Sequence, residues 1–395
     1  MYVPFSPLII DIKWIDFLYS LYYRYKLKQN EIITYSVRSS IDLFFQMKKY
    51  PQNSNILVSS INIPNIPDIC KYHNLNVIGV DLNLIDISIN HDDLLYKINN
   101  NENIVCIIIS HLWGIINNID EVINLCKKHN INVIEDCAQV YTTKYNGNLK
   151  ADMTCISYGT IKNCTSFGGS ITYIKNKLEL IKMNTIMIQY KYQSNIKYII
   201  KCIKYFYISQ LFNNRIINVF IRYIMKMFKI NENIIVSSLR SFQSDNLISS
   251  IRQNPCNLLR NMVLYRTNNY IDNARNNQLY FINKINNNYH KNIITYYYKI
   301  PSINTYIRTW WLFPIIINKL NRLDIINQLH INNISAHTST SNLVIIDDRC
   351  KVSNNIMNNI IYLPIHHLTN KRNIDIIFDV LYNNIPEVYE LNNII

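Results

Sequence analysis

Glycine is scarce in this chain, with 6 in 395 residues. Glycine this rare is kept where the backbone must turn with positive φ or pass close to another group. Gly159, Gly168 and Gly169 all fall in one short stretch. The 9 cysteines form no C-x-x-C pair and no His-Cys metal spacing, so no metal is expected and a reduced, cytoplasmic compartment is. No apolar run approaches the ~20 residues of a spanning helix. Asp11, Lys13 and Asp16 break the apolar start of the chain, so no signal peptide is expected. Acids are missing between Glu179 and Glu232, and residues 176–234 contain neither glycine nor proline.

What is present bounds the answer further. The length suits two domains, and a hydrophobic content of 49% supports a sizeable core. A net charge of +14, from 40 basic and 26 acidic residues, suits anionic partners: phosphorylated ligands, nucleic acid or a membrane surface. No nucleic-acid-binding motif accompanies the charge, so no nucleic acid is expected.

From Asn55 onward short apolar runs alternate with amphipathic segments. Ile56–Val58, Val77–Val80, Ile104–Ser110 and Val133–Asp136 read as strands; Ile66–His73, Asp92–Ile98 and Ile119–His129 read as helices. Apolar runs without internal alternation argue for an α/β fold around a mostly parallel sheet covered on both faces. In such sheets ligands lie beyond the carboxyl ends of the strands. That places Ser110, His111, Glu135, Asp136 and Ser157 along one cleft. Before this region, residues 1–30 read as a helix. Ser39 and Ser40 are placed to cap a helix over Ile41–Met47, or to seat a phosphate at its N-terminus.

The stretch from Val133 to Gly169 organises the rest. It reads VIEDCAQVYTTKYNGNLKADMTCISYGTIKNCTSFGG. An acid at a strand end, a second strand over Met153–Tyr158, Lys162 in a loop and a Gly168-Gly169 turn are the parts of a cofactor site.

Residues 176–234 differ from everything around them. Tyr198–Ile230 suits amphipathic helices with Lys197, Lys201 and Lys204 on one side. Two readings stay open: a solvated face on a helical insertion, or a surface across 191–229 that makes peripheral contact with an anionic membrane. After residue 235 mixed elements suggest a smaller α+β domain: helix over Leu258–Ile285, a strand-like Thr309–Ile317, a polar loop His337–Leu343, a short strand Tyr362–His367 and a helix over Ile374–Leu381. The expected division is 1–175, 176–234 and 235–395.

VIEDCAQ and SYGTIKNCTSFGG, with SHLWG upstream at Ser110–Gly114, resemble the DegT/DnrJ family of sugar aminotransferases, with the aspartate-aminotransferase-like fold type I of pyridoxal-phosphate enzymes. WWLFP (Trp310–Pro314), HTSTSNL and YLPIHH resemble that family's later blocks in the same order. The resemblance implies that Lys162 holds pyridoxal phosphate covalently and moves a proton, and that Asp136 faces the pyridine nitrogen. It implies that Gln139 meets the ring hydroxyl, and that Ser157 with Arg38, Ser39 or Ser40 holds the phosphate. His111 would face the ring or the substrate, and His337, His366 and His367 are candidate substrate-side groups. The implied reaction moves an amino group from an amino acid, glutamate foremost, to a nucleotide-linked keto sugar, in a homodimer.

Three positions depart from the family's pattern. Val37 stands where a glycine is usual in the phosphate turn, Ile63 stands near the place of an aromatic stacked on the cofactor, and Phe167 replaces the common Glu before Gly-Gly. They leave an alternative open: a non-catalytic or regulatory relative that keeps the fold.

Overall fold

The computed structural model describes residues 10–386, except 24–25, 141–144, 146, 215–216, 218–219, 221–222, 225–226, 228–245, 272–273, 302–308 and 339–341. Its centre is a seven-stranded sheet. The strands are β1 (Glu31–Thr34), β2 (Asn55–Ser59), β3 (Asn76–Val80), β4 (Ile104–Ser110), β5 (Asn132–Cys137), β6 (Met153–Ser157) and β7 (Ser170–Ile174), in the order β1-β7-β6-β5-β4-β2-β3. The run from β3 to β6 is parallel, and β7 and β1 close it antiparallel. The apolar runs read as strands are strands, and Ile56, Leu57, Val58, Ile107, Ile108 and Ile134 are buried because helices cover both faces. The expected α/β class with a mostly parallel sheet is therefore the observed one.

Helices cover the sheet: α1 (Trp14–Tyr22), α2 (Val37–Lys48), α3 (Asn65–Tyr72), α4 (His91–Asn100), α5 (Asp120–Lys128) and α6 (Lys177–Met187). Two details differ from expectation. The helix expected over residues 1–30 is α1 alone within the described residues, and the short strand β1 follows it, a four-residue run too brief to show a period. The cap of α2 is Ser36, whose hydroxyl accepts from the Ser39 amide at 3.2 Å, rather than Ser39 or Ser40. Both of those serines lie inside the first turn and are buried.

The long helix α7 (Asn195–Asn213) lies within the basic segment. Tyr198, Cys202, Tyr205, Phe206 and Ser209 make its buried stripe. That stripe packs with Phe167 from the Gly-Gly loop and with Leu259, Met262 and Val263 of α8 (Asn257–Asn269). The expected basic face holds Lys197 and Lys204, both exposed, but not Lys201, which turns inward. Opposite its buried stripe, α7 exposes Ile196, Ile200, Ile203, Tyr207 and Leu211. Most of the expected 191–229 surface beyond α7 lies outside the described residues.

Beyond α8 the helix expected over Leu258–Ile285 is two, with the second at Arg275–Asn286. A three-stranded antiparallel sheet follows, of β8 (Tyr298–Lys299), β9 (Phe313–Ile317) and β10 (Ile360–Leu363), backed by a helix over Lys371–Asn383. Strand β9 starts at Phe313, so the two tryptophans before it are free to point elsewhere.

Candidate active site

A cavity of about 150 Å³ opens at the carboxyl ends of the parallel strands. β4 brings Ser110 and then His111, β5 brings Asp136, and β6 brings Ser157. The N-terminus of α2 adds Ser36, Val37 and Arg38. The loop after β6 adds Lys162, and the Gly168-Gly169 turn closes that side.

Asp136 is 5% exposed, and its Oδ1 accepts from the Ala138 amide at 2.8 Å. Burial lifts its carboxyl above the ordinary carboxylate range, against the opposing pull of Lys162, His111 and Arg38. A carboxylate held this way favours a cationic N–H beside it. Lys162 is half-buried toward the cavity, with Nζ 3.9 Å from the centre of the Trp311 ring. Burial pushes its ammonium down to about 7, helped by Arg38 and opposed by Asp136. Near neutral pH this amine is therefore available as a base and nucleophile. Burial also lowers the Arg38 guanidinium to about 10, and Arg38 Nε donates to Asn65 Oδ1 at 2.8 Å.

Gln139 accepts from the Trp113 amide at 2.9 Å, which leaves its NH2 group as a donor. His111 lines the cavity, but both its nitrogens are engaged: Nε2 meets Glu135 Oε1 at 2.9 Å and Nδ1 accepts from the Asn117 amide at 3.3 Å. It can present a ring face, not a proton. Glu135 points to the other side of the sheet. It also accepts from the Tyr145 hydroxyl, from Asn148 N at 2.7 Å and from Thr154 Oγ1 at 2.8 Å. Burial alone would raise Glu135; His111, Tyr145 and Asn148 outweigh it and hold the carboxyl near 2. Glu135, His111 and Cys137 lie close enough to hold a metal ion, but Glu135 and His111 are already saturated by these bonds.

Not every expected residue comes to the cavity. The Ser39 hydroxyl donates to Ile251 O at 2.7 Å, and the Ser40 hydroxyl shares hydrogen bonds with Thr172 at 2.6 Å and Thr34 at 2.7 Å. Of this turn, Ser36 and Arg38 line the cavity, and Ser39 and Ser40 do not. His337 sits 2.8 Å from Ser335 Oγ and bridges to Tyr362, while His366 is buried and accepts from the Leu368 amide at 3.3 Å. Neither His337, His366 nor His367 lines the cavity.

Some lining residues escaped the sequence reading. Trp311 stands in the WWLFP block, where its neighbourhood was visible but its task was not. Its indole N–H donates to Ile161 O at 2.7 Å, which ties the segment before β9 to the lysine loop. Asn342 comes from the polar loop, and Lys201 comes from α7.

The departures also have places. Val37 is the first residue of α2 and does not need a positive φ, so the missing glycine leaves no strained backbone. Ile63 lines the cavity as an aliphatic wall. Phe167 takes a left-handed φ of 57° and buries its ring against Tyr205 and Phe206, away from the cavity. Gly114 shows why glycine survives in SHLWG: with φ +96°, a Cβ there would lie 2.4 Å from Thr309 O.

Comparison with known proteins agrees with this geometry. Residues 25–203 match the model of the DegT/DnrJ/EryC1/StrS aminotransferase family. No curated protein matches the chain. Among solved structures, an aminotransferase from Psychrobacter cryohalolentis is similar in fold, with TM-score 0.66, 13% identity, and 97% of this chain and 100% of that one covered. The sugar aminotransferase CalS13 from Micromonospora echinospora gives TM-score 0.61 at 10% identity, covering 90% and 87%. The E. coli GDP-4-keto-6-deoxy-D-mannose-3-dehydratase with bound hydrated pyridoxal phosphate gives 0.60 at 14%, covering 93% and 90%. Residues 25–203 are thus similar to the DegT/DnrJ/EryC1/StrS aminotransferase family, and the fold around them is that of the solved aminotransferases.

Proposed function

We propose that this chain is a pyridoxal-phosphate-dependent aminotransferase that takes an amino group from an amino acid, glutamate foremost, and passes it to a nucleotide-linked keto sugar. The observation that carries this reading is the pair of Lys162 and Asp136 in one cavity, the amine lowered to about 7 by burial. The residues present fit the cofactor: an available amine, a buried carboxylate for a ring nitrogen, an amide donor for a ring hydroxyl, and Arg38, Ser36 and Ser157 for a phosphate.

Pyridoxal phosphate, when bound, supplies the electron sink that stabilises the charge left by removal of a proton next to nitrogen. The chain's own residues do the rest. Lys162 holds the cofactor and, once released, carries the proton between the two carbon atoms that exchange it. Asp136 keeps the ring nitrogen protonated. The His111 ring and Ile63 wall the cavity, and the Trp311 indole lies against the Lys162 amine. The net charge of +14 suits a diphosphate-bearing substrate. A second copy of the chain is the proposed partner, as a homodimer in the cytoplasm. No helix among the described residues is long and apolar enough to cross a membrane.

Of the positions that favoured a non-catalytic relative, Val37 and Ile63 line the cavity as aliphatic walls, and Phe167 packs outside it on Tyr205 and Phe206. The test is the visible spectrum of the purified protein with pyridoxal phosphate, before and after glutamate, beside Lys162→Ala. The expected result is a band of lysine-bound cofactor that glutamate bleaches and that Lys162→Ala lacks. A band that persists with every amino acid tried would favour the non-catalytic relative.

A further inference from the structure

Lys201 is the second lysine of the cavity, and it comes from a helix outside the strand-end frame. Its neighbour Cys202 is fully buried in the stripe that seats α7, which sets Lys201 at the edge of that stripe. Its Nζ lies 3.6 Å from where a Cβ on Gly168 would stand. The Gly168 amide donates to Tyr158 O and the Gly169 amide to Tyr35 O, each at 3.0 Å. The ammonium therefore sits where three pieces meet: the Gly-Gly turn, the end of β6 with Ser157, and the lead into the Ser36 cap of α2.

Several other described lysines are paired. Lys48 meets Glu179 at 2.6 Å, Lys150 meets Asp120 at 2.7 Å and Lys284 meets Asp375 at 2.7 Å. Among the described residues no carboxylate or other acceptor meets Lys201. Asp136 acts on both Lys162 and Arg38, but no carboxylate acts on Lys201, and burial pushes its ammonium down to about 8. A cation taken out of water without a counter-charge is costly, so a site that keeps one is built for an anion that arrives with a ligand. Two serine hydroxyls and the N-terminus of a twelve-residue helix converge on the same end of the cavity. Hydroxyls, amides and an ammonium form a donor set for a phosphate.

We propose that Lys201 is a phosphate-binding residue of this enzyme, reaching from α7 to the phosphate of bound pyridoxal phosphate. The proposal rests on the cofactor reading above. It makes α7 part of the cofactor site rather than a covering alone.

The test is an absorbance titration of the full chain with pyridoxal phosphate and, separately, with pyridoxal, which lacks the phosphate. Lys201→Met should weaken pyridoxal phosphate about 10- to 100-fold, the loss of one charge-assisted contact, and leave pyridoxal unchanged. Lys201→Arg should restore most of the difference. Lys201→Gln serves as the second variant if the methionine protein melts lower than wild type. A well-folded variant that binds pyridoxal phosphate like wild type overturns the proposal. So does equal weakening of both compounds, or a loss confined to the KM of either substrate. A wild-type protein that takes up neither compound overturns the cofactor reading, and this one with it.

Discussion

The two sides of the cavity are built differently. On the strand side, Asp136, His111 and Gln139 stand at or just beyond the ends of β4 and β5, each held by neighbours: the Ala138 amide, Glu135 and the Trp113 amide. On the helix side, the Gly-Gly turn and α7 meet through Phe167, Tyr205 and Phe206, and the charge placed there, Lys201, has no partner among the described residues. Strand ends are fixed by the sheet's hydrogen bonds, so residues placed there hold position at low cost. The helix side depends on packing of side chains far apart in sequence. The first side is a frame; the second is a fit that α7 completes.

The sharpest way to break the comparison acts on the strand-side chemistry. Lys162→Ala should lower turnover by ~10⁴-fold or more, the scale of losing a positioned proton carrier, while the melting temperature holds or rises. Steady-state rates with glutamate as donor check this, and retained activity would refute the assignment.

Next comes the packing that joins the two sides. Phe167 is fully buried and holds a left-handed backbone that a non-glycine residue adopts at a cost of roughly 1–2 kcal/mol. The stacked Tyr205 ring at 5.6 Å and the Phe206 ring at 5.1 Å offset that cost. Phe167→Ala should destabilise by about 3–5 kcal/mol, read by chemical unfolding. A change under 1 kcal/mol would mean that α7 is not anchored here.

Acid probes the strand side alone. Glu135 is held near 2 in the folded chain, below its ordinary value of 4.5. Its contribution, on the order of 2–3 kcal/mol, is present above pH 4.5 and is lost as pH falls through the folded value. Glu135→Gln should remove much of that acid sensitivity between pH 4.5 and 2. For Lys162, which faces Asp136 and Arg38, cofactor uptake should rise as pH climbs through about 7, where the amine loses its proton. A rise centred near the ordinary lysine value would deny the burial effect.

The smallest effect concerns the outer face of α7. Exposed Ile196, Ile200, Ile203, Tyr207 and Leu211, flanked by Lys197 and Lys204, make a basic apolar surface suited to anionic lipid. Lys197→Glu with Lys204→Glu should lower co-sedimentation with anionic vesicles severalfold, with activity unchanged. No binding by wild type would leave this face to a second copy of the chain.

Much of the strand side was legible in the sequence. VIEDCAQ shows an apolar run ending in an acid, and a parallel sheet places such ends at the ligand. Lys162, Asp136, Gln139 and Ser157 follow from spacing plus the family's pattern. Local sequence could not show which of Ser36, Ser39 and Ser40 faces the cavity. One residue of helix turns a side chain by about 100°, and all three serines are plausible caps. The same rotation hid Lys201 among Lys197 and Lys204: only the burial of Tyr198, Cys202 and Tyr205 shows which way α7 is turned.

The sequence by itself determined the parallel sheet, the order of its elements and the strand-end residues, because burial on two faces writes itself as apolar runs and strand ends write themselves as polar stops. The tertiary structure alone decided that Trp311 lies against Lys162, that His337 and His366 stay out of the cavity, and that a lysine from α7 enters it. Those outcomes depend on how distant segments dock, and docking angle leaves no local period in a sequence.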